Sequence, residues 1–374
     1  MIRLFVSKPA ILHICLSQGW GGLEMYPIRT SEELADRGYT VFGLCIAGTP
    51  VAESMRRAGV EVFEVLSKNS LIISQLFELN RWLVQRNVSI VHCHKSGDIL
   101  ISALLNLLLR RKTLFTEHMG VKRPKKDFYH RLVYAHIDQV LAISDKTYER
   151  NIKSLPVPEG KISRLWLGTD IQLDPVEDPQ KIKRIKDEIA LPNQSIVVGN
   201  IGRICSGKGQ MELLETFNLL TEQYPQLHLL LVGGLEVSEG ADVNFVQKLK
   251  SRIHDLRLNS RVHLIGFRKD TCQMLSIMDI VCLPNHNEAF GLTAIEAMAA
   301  KKAIVAWKTG ALPEVLDSSA LLCQPFDNLD MASKIENYLR NPDLMYDKSN
   351  QAYNRAKKEF SMASHISKLE QFYL

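Results

Sequence analysis

The sequence predicts two α/β domains, each a doubly wound parallel sheet. The chain has 374 residues, more than one ordinary hydrophobic core accommodates. Short apolar runs alternate with longer amphipathic ones from start to end, which is typical of successive βαβ units. Two polar, proline-bearing stretches, Leu155–Gly160 and Asp174–Pro179, interrupt this pattern near the middle. We therefore expect the domain boundary near Gly168 to Asp174, which gives domains of residues 1–170 and 171–358.

The first half follows the alternation closely. The apolar runs predict strands at Ala10–Leu16, Tyr39–Ala47, Val60–Val65, Ser89–Cys93, Thr113–Glu117 and Val140–Ile143. The amphipathic runs predict helices at Glu24–Arg37, Val51–Ala58, Leu71–Arg86, Asp98–Leu109, Asp127–Ile137 and Lys146–Leu155.

The second half repeats the pattern. We expect strands at Ser195–Ile201, Leu227–Val232, Arg261–Leu264, Ile280–Leu283 and Ala303–Ala306, separated by helices. Further helices are predicted at Ala332–Arg340, Asp343–Phe360 and Ala363–Phe372. In sheets of this kind, ligands bind outside the carboxyl ends of the strands.

Composition excludes several classes of protein. Hydrophobic residues make up 46% and charged residues 23%, as in a soluble globular protein, and the net charge of +5 is too modest to indicate nucleic acid binding. The seven cysteines are scattered without metal-ligand spacing, which favours free thiols in a reducing, cytoplasmic compartment. We expect no secretory signal, and the apolar stretch Ile99–Leu109 is too short to span a bilayer.

The segment Val198–Gly209 carries the first sign of chemistry. A predicted strand ends at Gly202, a glycine-bearing loop follows, and a helix begins near Gln210. The N–H groups of a helix N-terminus attract anions, and Arg203 and Lys208 add positive charge to the same loop. A diphosphate needs this combination of fixed donors and cations.

The same segment nearly matches the P-loop of NTPases, through Gly202, Gly207 and Lys208. Gly209, however, replaces the hydroxyl residue that would hold magnesium. The strand Leu227–Val232 also runs into two glycines rather than into an aspartate. An NTPase is therefore disfavoured, and a surface turn with two solvated charges remains the simple alternative.

The segment Ile280–Val315 supplies two carboxylates. Glu288 precedes a helix that begins near Gly291, and Glu296 lies about one and a half turns inside that helix. The N–H groups from Phe290 through Leu292 to Thr293 are expected to lack intrahelical partners and to offer a second anion contact. One carboxylate can accept from sugar hydroxyls and the other from ribose hydroxyls, although both could also be ordinary helix acids.

Together these motifs resemble the retaining GT-B glycosyltransferases of family 4, a group that includes lipopolysaccharide and mannosyl transferases. The matching elements are Gly202-Arg203 with Lys208-Gly209, the E-x7-E pair Glu288 and Glu296, and Gly310-Ala-Leu-Pro-Glu314. The resemblance covers essentially the whole chain. It implies a GT-B fold: two Rossmann-like domains that face each other across a cleft, with an N-terminal acceptor domain, a C-terminal donor domain and a final helix, residues 359–374, that packs back on the first domain.

The resemblance also implies roles at the donor site. Arg203 and Lys208 would stabilise the leaving nucleoside diphosphate, Glu288 would bind donor-sugar hydroxyls, and Glu296 would bind the ribose. The backbone of Gly266-Phe267-Arg268 would lie against the base, and Gly21 and Gly22 would let the first domain approach the phosphates without a Cβ clash. No bound metal is expected, since the protein supplies the positive charge.

His118, in Thr116-Glu117-His118-Met119-Gly120, follows a predicted strand of the first half. On position alone, a structural hydrogen-bonding role is the more common one. The family has a histidine here that faces the donor sugar, so His118 is implied to hydrogen-bond that sugar rather than to act as a nucleophile. His92 and His94 end a strand on the same side, but without an evident third ligand a metal site is disfavoured.

The stretch Arg110–Arg131 is rich in basic residues. It is either a solvated surface or a contact with an anionic acceptor or with the cytoplasmic face of an inner membrane. Its eight basic residues are Arg110, Arg111, Lys112, Lys122, Arg123, Lys125, Lys126 and Arg131.

The predicted function is transfer of a sugar from a UDP- or GDP-linked donor to a hydroxyl of a glycan or glycolipid, with retention of configuration. Lipopolysaccharide or a related surface glycan is the expected acceptor. The alternatives are a GT-B nucleotide-sugar epimerase and a catalytically silent protein that only binds nucleotide sugars. The particular sugar, the linkage and the oligomeric state do not follow from the sequence.

Overall fold

The computed structural model describes residues 8–121, 123–169, 171 and 178–374. Lys122 of the basic stretch lies outside the described residues, as do residue 170 and residues 172–174 of the expected domain boundary. The chain divides into two compact units. The N unit comprises Met1–Gly168 and Met362–Leu374, and the C unit comprises Thr169–Ser361.

The N unit contains a seven-stranded sheet in the order β3-β2-β1-β4-β5-β6-β7, and every neighbouring pair is parallel. The strands are β1 Ala10–Cys15, β2 Val41–Ile46, β3 Glu61–Val65, β4 Val88–Cys93, β5 Lys112–Glu117, β6 Gln139–Ala142 and β7 Ile162–Arg164. The helices are α1 Gly22–Asp36, α2 Pro50–Arg57, α3 Lys68–Ser70, α4 Leu76–Gln85, α5 Ile99–Leu108, α6 Phe128–Tyr134, α7 Asp145–Ser154 and, from the end of the chain, α16 Met362–Tyr373.

The C unit contains a parallel six-stranded sheet in the order β10-β9-β8-β11-β12-β13. Its strands are β8 Ile196–Ile201, β9 Leu227–Val232, β10 Val262–Gly266, β11 Ile280–Leu283, β12 Ala303–Trp307 and β13 Leu321–Cys323. Its helices are α8 Pro179–Glu188, α9 Gln210–Leu220, α10 Val243–Asp255, α11 Thr271–Ser276, α12 Leu292–Ala299, α13 Leu312–Leu316, α14 Asn328–Arg340 and α15 Pro342–Arg355.

The predicted class of two doubly wound α/β domains is confirmed. Because helices cover both faces of each sheet, the central strands are mostly apolar; β1 and β9 are buried along their whole length, including His13 and His228. Both sheets place their first and fourth strands side by side, β1 next to β4 and β8 next to β11. A crevice opens at the carboxyl ends of such a pair, which is where ligands bind in these folds.

The last helix, α16, completes the core of the N unit. Its Ile366, Leu369 and Tyr373 are buried in one cluster with Ile11 of β1 and Ile90 of β4. Burial of each such aliphatic side chain contributes roughly 1.5–3 kcal/mol. The helix therefore belongs to the hydrophobic core that covers one face of the first sheet.

Two details differ from the predicted elements. The predicted helix Leu71–Arg86 begins earlier, at Lys68, and contains a π-helical turn at Leu71–Gln75 before α4. The strands β7 and β13 were not predicted; each has three residues and lies at the edge of its sheet. Among the described residues no helix is both long and apolar enough to cross a membrane.

Candidate functional site

In the C unit the carboxyl ends of β8 and β11 bring two predicted residues together. The Nζ of Lys208, in the loop after β8, lies 3.0 Å from Oε2 of Glu288, in the loop after β11. The amide of Asn285 donates to the same carboxylate oxygen. Both side chains are partly exposed, at 29% for Lys208 and 18% for Glu288. The arrangement offers a cation and a carboxylate to a ligand at the crevice.

Two hydrogen bonds to backbone carbonyls hold the loop that carries Glu288. The Glu288 carbonyl accepts from the N–H of Ala311 at 2.9 Å, and the Asn285 carbonyl accepts from the hydroxyl of Thr309. Gly310 lies so close that a Cβ there would be 2.1 Å from the Glu288 carbonyl oxygen. Gly310 is therefore required for packing against this loop, a role that the Gly310–Glu314 motif did not reveal by itself.

The backbone at Gly209 explains why the segment that nearly matches a P-loop lacks the hydroxyl residue. The φ of Gly209 is +76°, in the left-handed region, and a Cβ would lie 2.0 Å from the carbonyl oxygen of Pro284. A serine or threonine therefore does not fit at the N-terminus of α9. The backbone, rather than a change of one side chain, excludes the magnesium ligand of an NTPase.

Arg203 and Gly202 lie at the start of the same loop. The N–H of Gly202 donates to the Val232 carbonyl at 2.9 Å, which fixes the point where β8 ends. The buried Gln210 donates its amide to the Arg203 carbonyl at 2.9 Å. The Arg203 side chain is exposed and has no ion-pair partner within the part of the chain that the structure describes.

Helix α12 begins at Leu292, after Gly291 with φ +100°. Phe290 is buried, with its ring 6.0 Å from that of Phe360, so it anchors the turn rather than facing solvent. Glu296 is half-buried on the second turn of the helix. The first N–H groups of α12 are free of intrahelical bonds, as at any helix start.

The segment Gly266–Arg268 begins at the last residue of β10. Gly266 has φ +81°, and its carbonyl accepts from Gly233 at 3.0 Å. The Phe267 ring is half exposed. The Arg268 guanidinium is held by Asp270 and by Glu188 at 2.6–2.8 Å, and these hydrogen bonds raise its pKa. Its charge is thus already paired, which leaves the backbone of the segment for ligand contact.

In the N unit, His118 directly follows β5 and is buried. Its ring lies edge-on to Tyr26, with centroids 4.9 Å apart, and its Nε2 has no partner among the described residues. Burial lowers the pKa of His118 to about 3, so the imidazole is neutral at neutral pH. Gly21 and Gly22 lie at the start of α1, on the loop after β1.

Sequence reasoning missed four polar side chains that pack around His92 and His118: His13 and Tyr373 beside His92, Tyr26 beside His118, and His365 beside Tyr26. His13 lies beside His92 in the β1–β4 pairing, and its Nδ1 is 2.8 Å from Nε2 of His94. The third imidazole that was not evident from the sequence beside His92 and His94 is His13, which β1 supplies on the same face of the sheet. The alternation of side chains along β1, which places Ile11 and His13 on one face, is the sequence signal that could have identified His13.

The basic stretch does not form one continuous exposed surface. Arg111 is buried and donates to the carbonyls of Val88 and Leu109, because a guanidinium inside the fold needs acceptors. Arg110 pairs with Asp138, and Lys125 is half-buried, which lowers its pKa. Of the eight basic residues, those described as exposed and without a paired carboxylate are Arg123, Lys126 and Arg131.

Comparison with known proteins gives matches along most of the chain. Residues 181–359 match the family described as "Glycosyl transferases group 1", and residues 20–173 match "Glycosyltransferase Family 4". The lipopolysaccharide core biosynthesis mannosyltransferase LpcC of Rhizobium leguminosarum is 25% identical over 303 residues, 80% of this chain and 82% of the relative. Other curated relatives, at 27–30% identity, align over only 46–60% of their own length, so the chain spans about half of those proteins.

Two solved structures show the same fold. A glycosyltransferase from Rickettsia africae ESF-5 superposes with a TM-score of 0.88 at 23% identity, and 98% of each chain is covered. Anabaena Alr3699/HepE, in complex with UDP, superposes with a TM-score of 0.83 at 20% identity, covering 97% of this chain and 98% of that one. The expected GT-B fold is thereby confirmed.

Proposed function

Because the chain belongs to the glycosyltransferases of group 1 and family 4, we propose that it transfers a sugar from a nucleotide-sugar donor to a hydroxyl of a glycan or glycolipid, with retention at the anomeric carbon. The observation that carries this proposal is the pairing of Lys208 with Glu288 at the carboxyl ends of β8 and β11. A cation for the diphosphate and a carboxylate for the sugar stand side by side there.

The donor diphosphate gains negative charge as its bond to the sugar breaks. Lys208 and Arg203, with the N–H groups at the starts of α9 and α12, would stabilise that charge without a bound metal. When a donor enters, its diphosphate would compete with Glu288 for the Lys208 ammonium. Glu288 would then be released to accept hydrogen bonds from sugar hydroxyls.

Other residues would hold the rest of the donor. Glu296, half-buried on α12, would accept from the ribose hydroxyls, and the backbone from Gly266 to Arg268 would lie against the base. His118 is neutral at neutral pH, so it can hydrogen-bond the donor sugar but has no positive charge to offer. We propose attack on the same face through an oxocarbenium-like state, since no carboxylate is assigned as a covalent nucleophile.

The nucleotide is proposed to be UDP, since HepE shares the fold and binds UDP; GDP is the alternative. We would test this by thermal shift and calorimetry with UDP, GDP and their sugar conjugates. One nucleotide is expected to stabilise the chain, by about 2.7 kcal/mol at a hundredfold excess over its dissociation constant. Lys208→Ala and Glu296→Ala should abolish the shift. Lys334→Ala should keep it, because Lys334 pairs with Asp330 on α14 and lies outside the proposed site. Equal shifts in all three variants would refute the donor site.

Turnover separates the transferase from its alternatives. An epimerase would interconvert nucleotide sugars without a second substrate, and a silent binding protein would produce neither transfer nor hydrolysis. We therefore expect the donor bound most tightly to be consumed slowly by water and much faster when a lipopolysaccharide-type acceptor is added. Product analysis by mass spectrometry and by anomeric NMR couplings would report both transfer and retention.

A contact with an anionic membrane surface is a second proposal, and it favours action at the cytoplasmic face of an inner membrane. Neighbouring helices α4, α5 and α6 expose large apolar side chains, among them Phe77, Leu107, Phe128 and Leu132. The exposed bases Arg123, Lys126 and Arg131 flank α6 or lie within it. Apolar groups beside bases suit a lipid interface, and each base near anionic lipid contributes about 1 kcal/mol. The seven free cysteines agree with a reducing compartment.

Vesicle sedimentation would test this contact. Phosphatidylglycerol vesicles should retain the chain better than phosphatidylcholine vesicles. Phe128→Ser with Leu132→Ser should weaken retention on both, and Arg123→Gln with Lys126→Gln and Arg131→Gln should remove the preference for the anionic lipid. Leu219→Ser is the matched control, because Leu219 is an exposed leucine of the C unit. Equal retention of all variants would exclude this surface.

A further inference from the structure

Three histidines converge in the core of the N unit, where the proposed transfer chemistry does not use them. His13 lies on β1, His92 beside it on β4, and His94 directly after β4. The three side chains are 0–1% exposed, and their ring centroids are 4.5–5.3 Å apart. One nitrogen of each ring lies within 4.8 Å of one nitrogen of each other ring.

The hydrogen bonds within the cluster leave two ring nitrogens without a partner. His13 and His94 share one bond between Nδ1 and Nε2 at 2.8 Å. Their other nitrogens, His13 Nε2 and His94 Nδ1, are buried and have no partner among the described residues. If both rings are neutral, one of these two atoms is an N–H donor and the other a lone pair. Buried polar atoms without partners are rare in native folds, so this pair of orphans calls for a ligand.

We propose that His13, His92 and His94 bind one divalent transition-metal ion, with zinc the best match, in a three-imidazole site between β1 and β4. Zinc takes three protein imidazoles at 2.0–2.1 Å and leaves its fourth position to water or another ligand. A tetrahedral set requires nitrogens roughly 3.4 Å apart. One nitrogen of each ring already lies within 4.8 Å of the other two, so small shifts of the side chains would complete the set.

The surroundings supply what such a site needs. Burial keeps the three imidazoles neutral by lowering their pKa values, and the neutral ring is the form that binds a metal. His92 is held at both nitrogens, by the Tyr373 hydroxyl at 2.8 Å and the Thr116 hydroxyl at 2.7 Å. On metal binding one hydroxyl would leave the ligating nitrogen, and the other would stay to orient the ring.

A route for the ion is also present. His94 forms part of the wall of an N-unit pocket of about 260 Å³, together with Lys95, Glu117 and Met119. The pocket gives solvent access next to an otherwise buried cluster. The ligand set itself contains no carboxylate or thiolate, so the class of ion is one that imidazole binds well, such as zinc, cobalt or nickel, rather than magnesium or calcium.

The decisive experiment uses the full chain without an affinity tag, stripped with dipicolinate and titrated with CoCl2. We expect visible cobalt absorption that reaches its end point at one equivalent and disappears on addition of ZnCl2. His13→Asn and His94→Asn should lose this signal. His263→Asn should keep it, because His263 belongs to a two-histidine contact with His228 in the C unit, at 3.1 Å, and is a matched control.

Variants at the hydroxyls test the geometry without removing a ligand. Of Tyr373→Phe and Thr116→Val, one should weaken cobalt binding 10- to 100-fold, because an orienting hydrogen bond is lost, and the other should not. These variants and the wild type decide the question even if the histidine variants fail to fold, which circular dichroism would show.

Three outcomes would overturn the proposal: no one-equivalent end point in the wild type, an unchanged end point in a folded His94→Asn chain, or equal loss in His263→Asn. Because the readout is cobalt absorption, it is independent of donor binding. A failure here leaves the proposed transferase activity standing, and the reverse is also true.

Discussion

In both units the first and fourth strands are neighbours, so a crevice opens at the same position of the sheet. The side chains that these strands and their loops carry differ between the units: they are charged in one and neutral in the other. In the C unit, the side chains after β8 and β11 are Lys208 and Glu288, which are charged, paired and partly exposed. In the N unit, β1 and β4 carry His13 and His92, which are buried and neutral.

Burial explains the difference. A charged side chain at a partly exposed crevice keeps some of its hydration, so an ammonium and a carboxylate persist there at modest cost. A fully buried ionisable group loses that hydration, and its neutral form is favoured instead. The strand order thus fixes where a ligand can bind, and the depth of each side chain decides whether the site offers charge or lone pairs.

The largest effect is expected when the loop after β8 in the C unit is given the hydroxyl group that it lacks. Gly209→Ser should destabilise the C unit by about 3 kcal/mol, because a left-handed backbone costs ~1–2 kcal/mol and the overlap with Pro284 adds ~1–3 kcal/mol. Nucleotide binding should be lost with it. Urea unfolding and calorimetry would measure both effects.

Gly207→Ser is the matched control for that substitution. Gly207 also has a left-handed φ, of +89°, but a Cβ there has no atom within 4 Å. It should cost only about 1–2 kcal/mol, from backbone strain alone. If the two variants were equally stable, close packing against Pro284 would not be the reason for glycine at position 209.

Sequence reasoning was most successful where a pattern is long. The central strands follow from short apolar runs between amphipathic helices: β1 and β9 have six buried residues each and β8 has four. The strands β7 and β13 escaped because three residues at a sheet edge are too few to show a period. The assignments of Arg203, Lys208, Glu288 and Glu296 rest on short motifs and remain predictions.

The sequence did not reveal which distant segments of the chain contact each other in the fold. Tyr26 lies 339 residues from His365 in the chain, and their side chains hydrogen-bond at 2.8 Å. Nothing in the local pattern around either residue indicates that contact. The conflict of Gly209 with Pro284 is equally hidden, since it depends on how two loops pack rather than on the composition of either one.

Acid should distinguish the two crevices. Burial lowers the pKa of His365, which bonds Tyr26 and the Trp166 carbonyl, to about 4, against ~6.5 in an unfolded chain. The unfolded chain therefore takes up this proton first, and stability falls as the pH drops from about 6.5 towards 4. From pH 7 to pH 5 this one group should cost the N unit about 2 kcal/mol.

Hydrogen exchange of metal-free protein at pH 7 and pH 5, resolved by unit, would measure that effect. His365→Asn should reduce the pH dependence of the N unit. His254→Asn should not, because His254 is an exposed histidine of the C unit. An unchanged pH slope in His365→Asn would mean that the imidazole does not stay neutral in the folded chain.

The smallest effect on stability should come from Tyr373→Phe, which removes a single hydroxyl group from the N unit. The Tyr373 hydroxyl bonds His92 Nδ1 inside the N unit, and its removal leaves a buried nitrogen without a partner. In metal-free protein we expect a loss of about 1 kcal/mol, measured by urea unfolding. Tyr346→Phe, at an exposed tyrosine of the C unit, should change stability by less than about 0.5 kcal/mol. Equal stability of the two variants would mean that water satisfies His92 once the hydroxyl is gone, and the buried character of the N-unit crevice would then have to be abandoned.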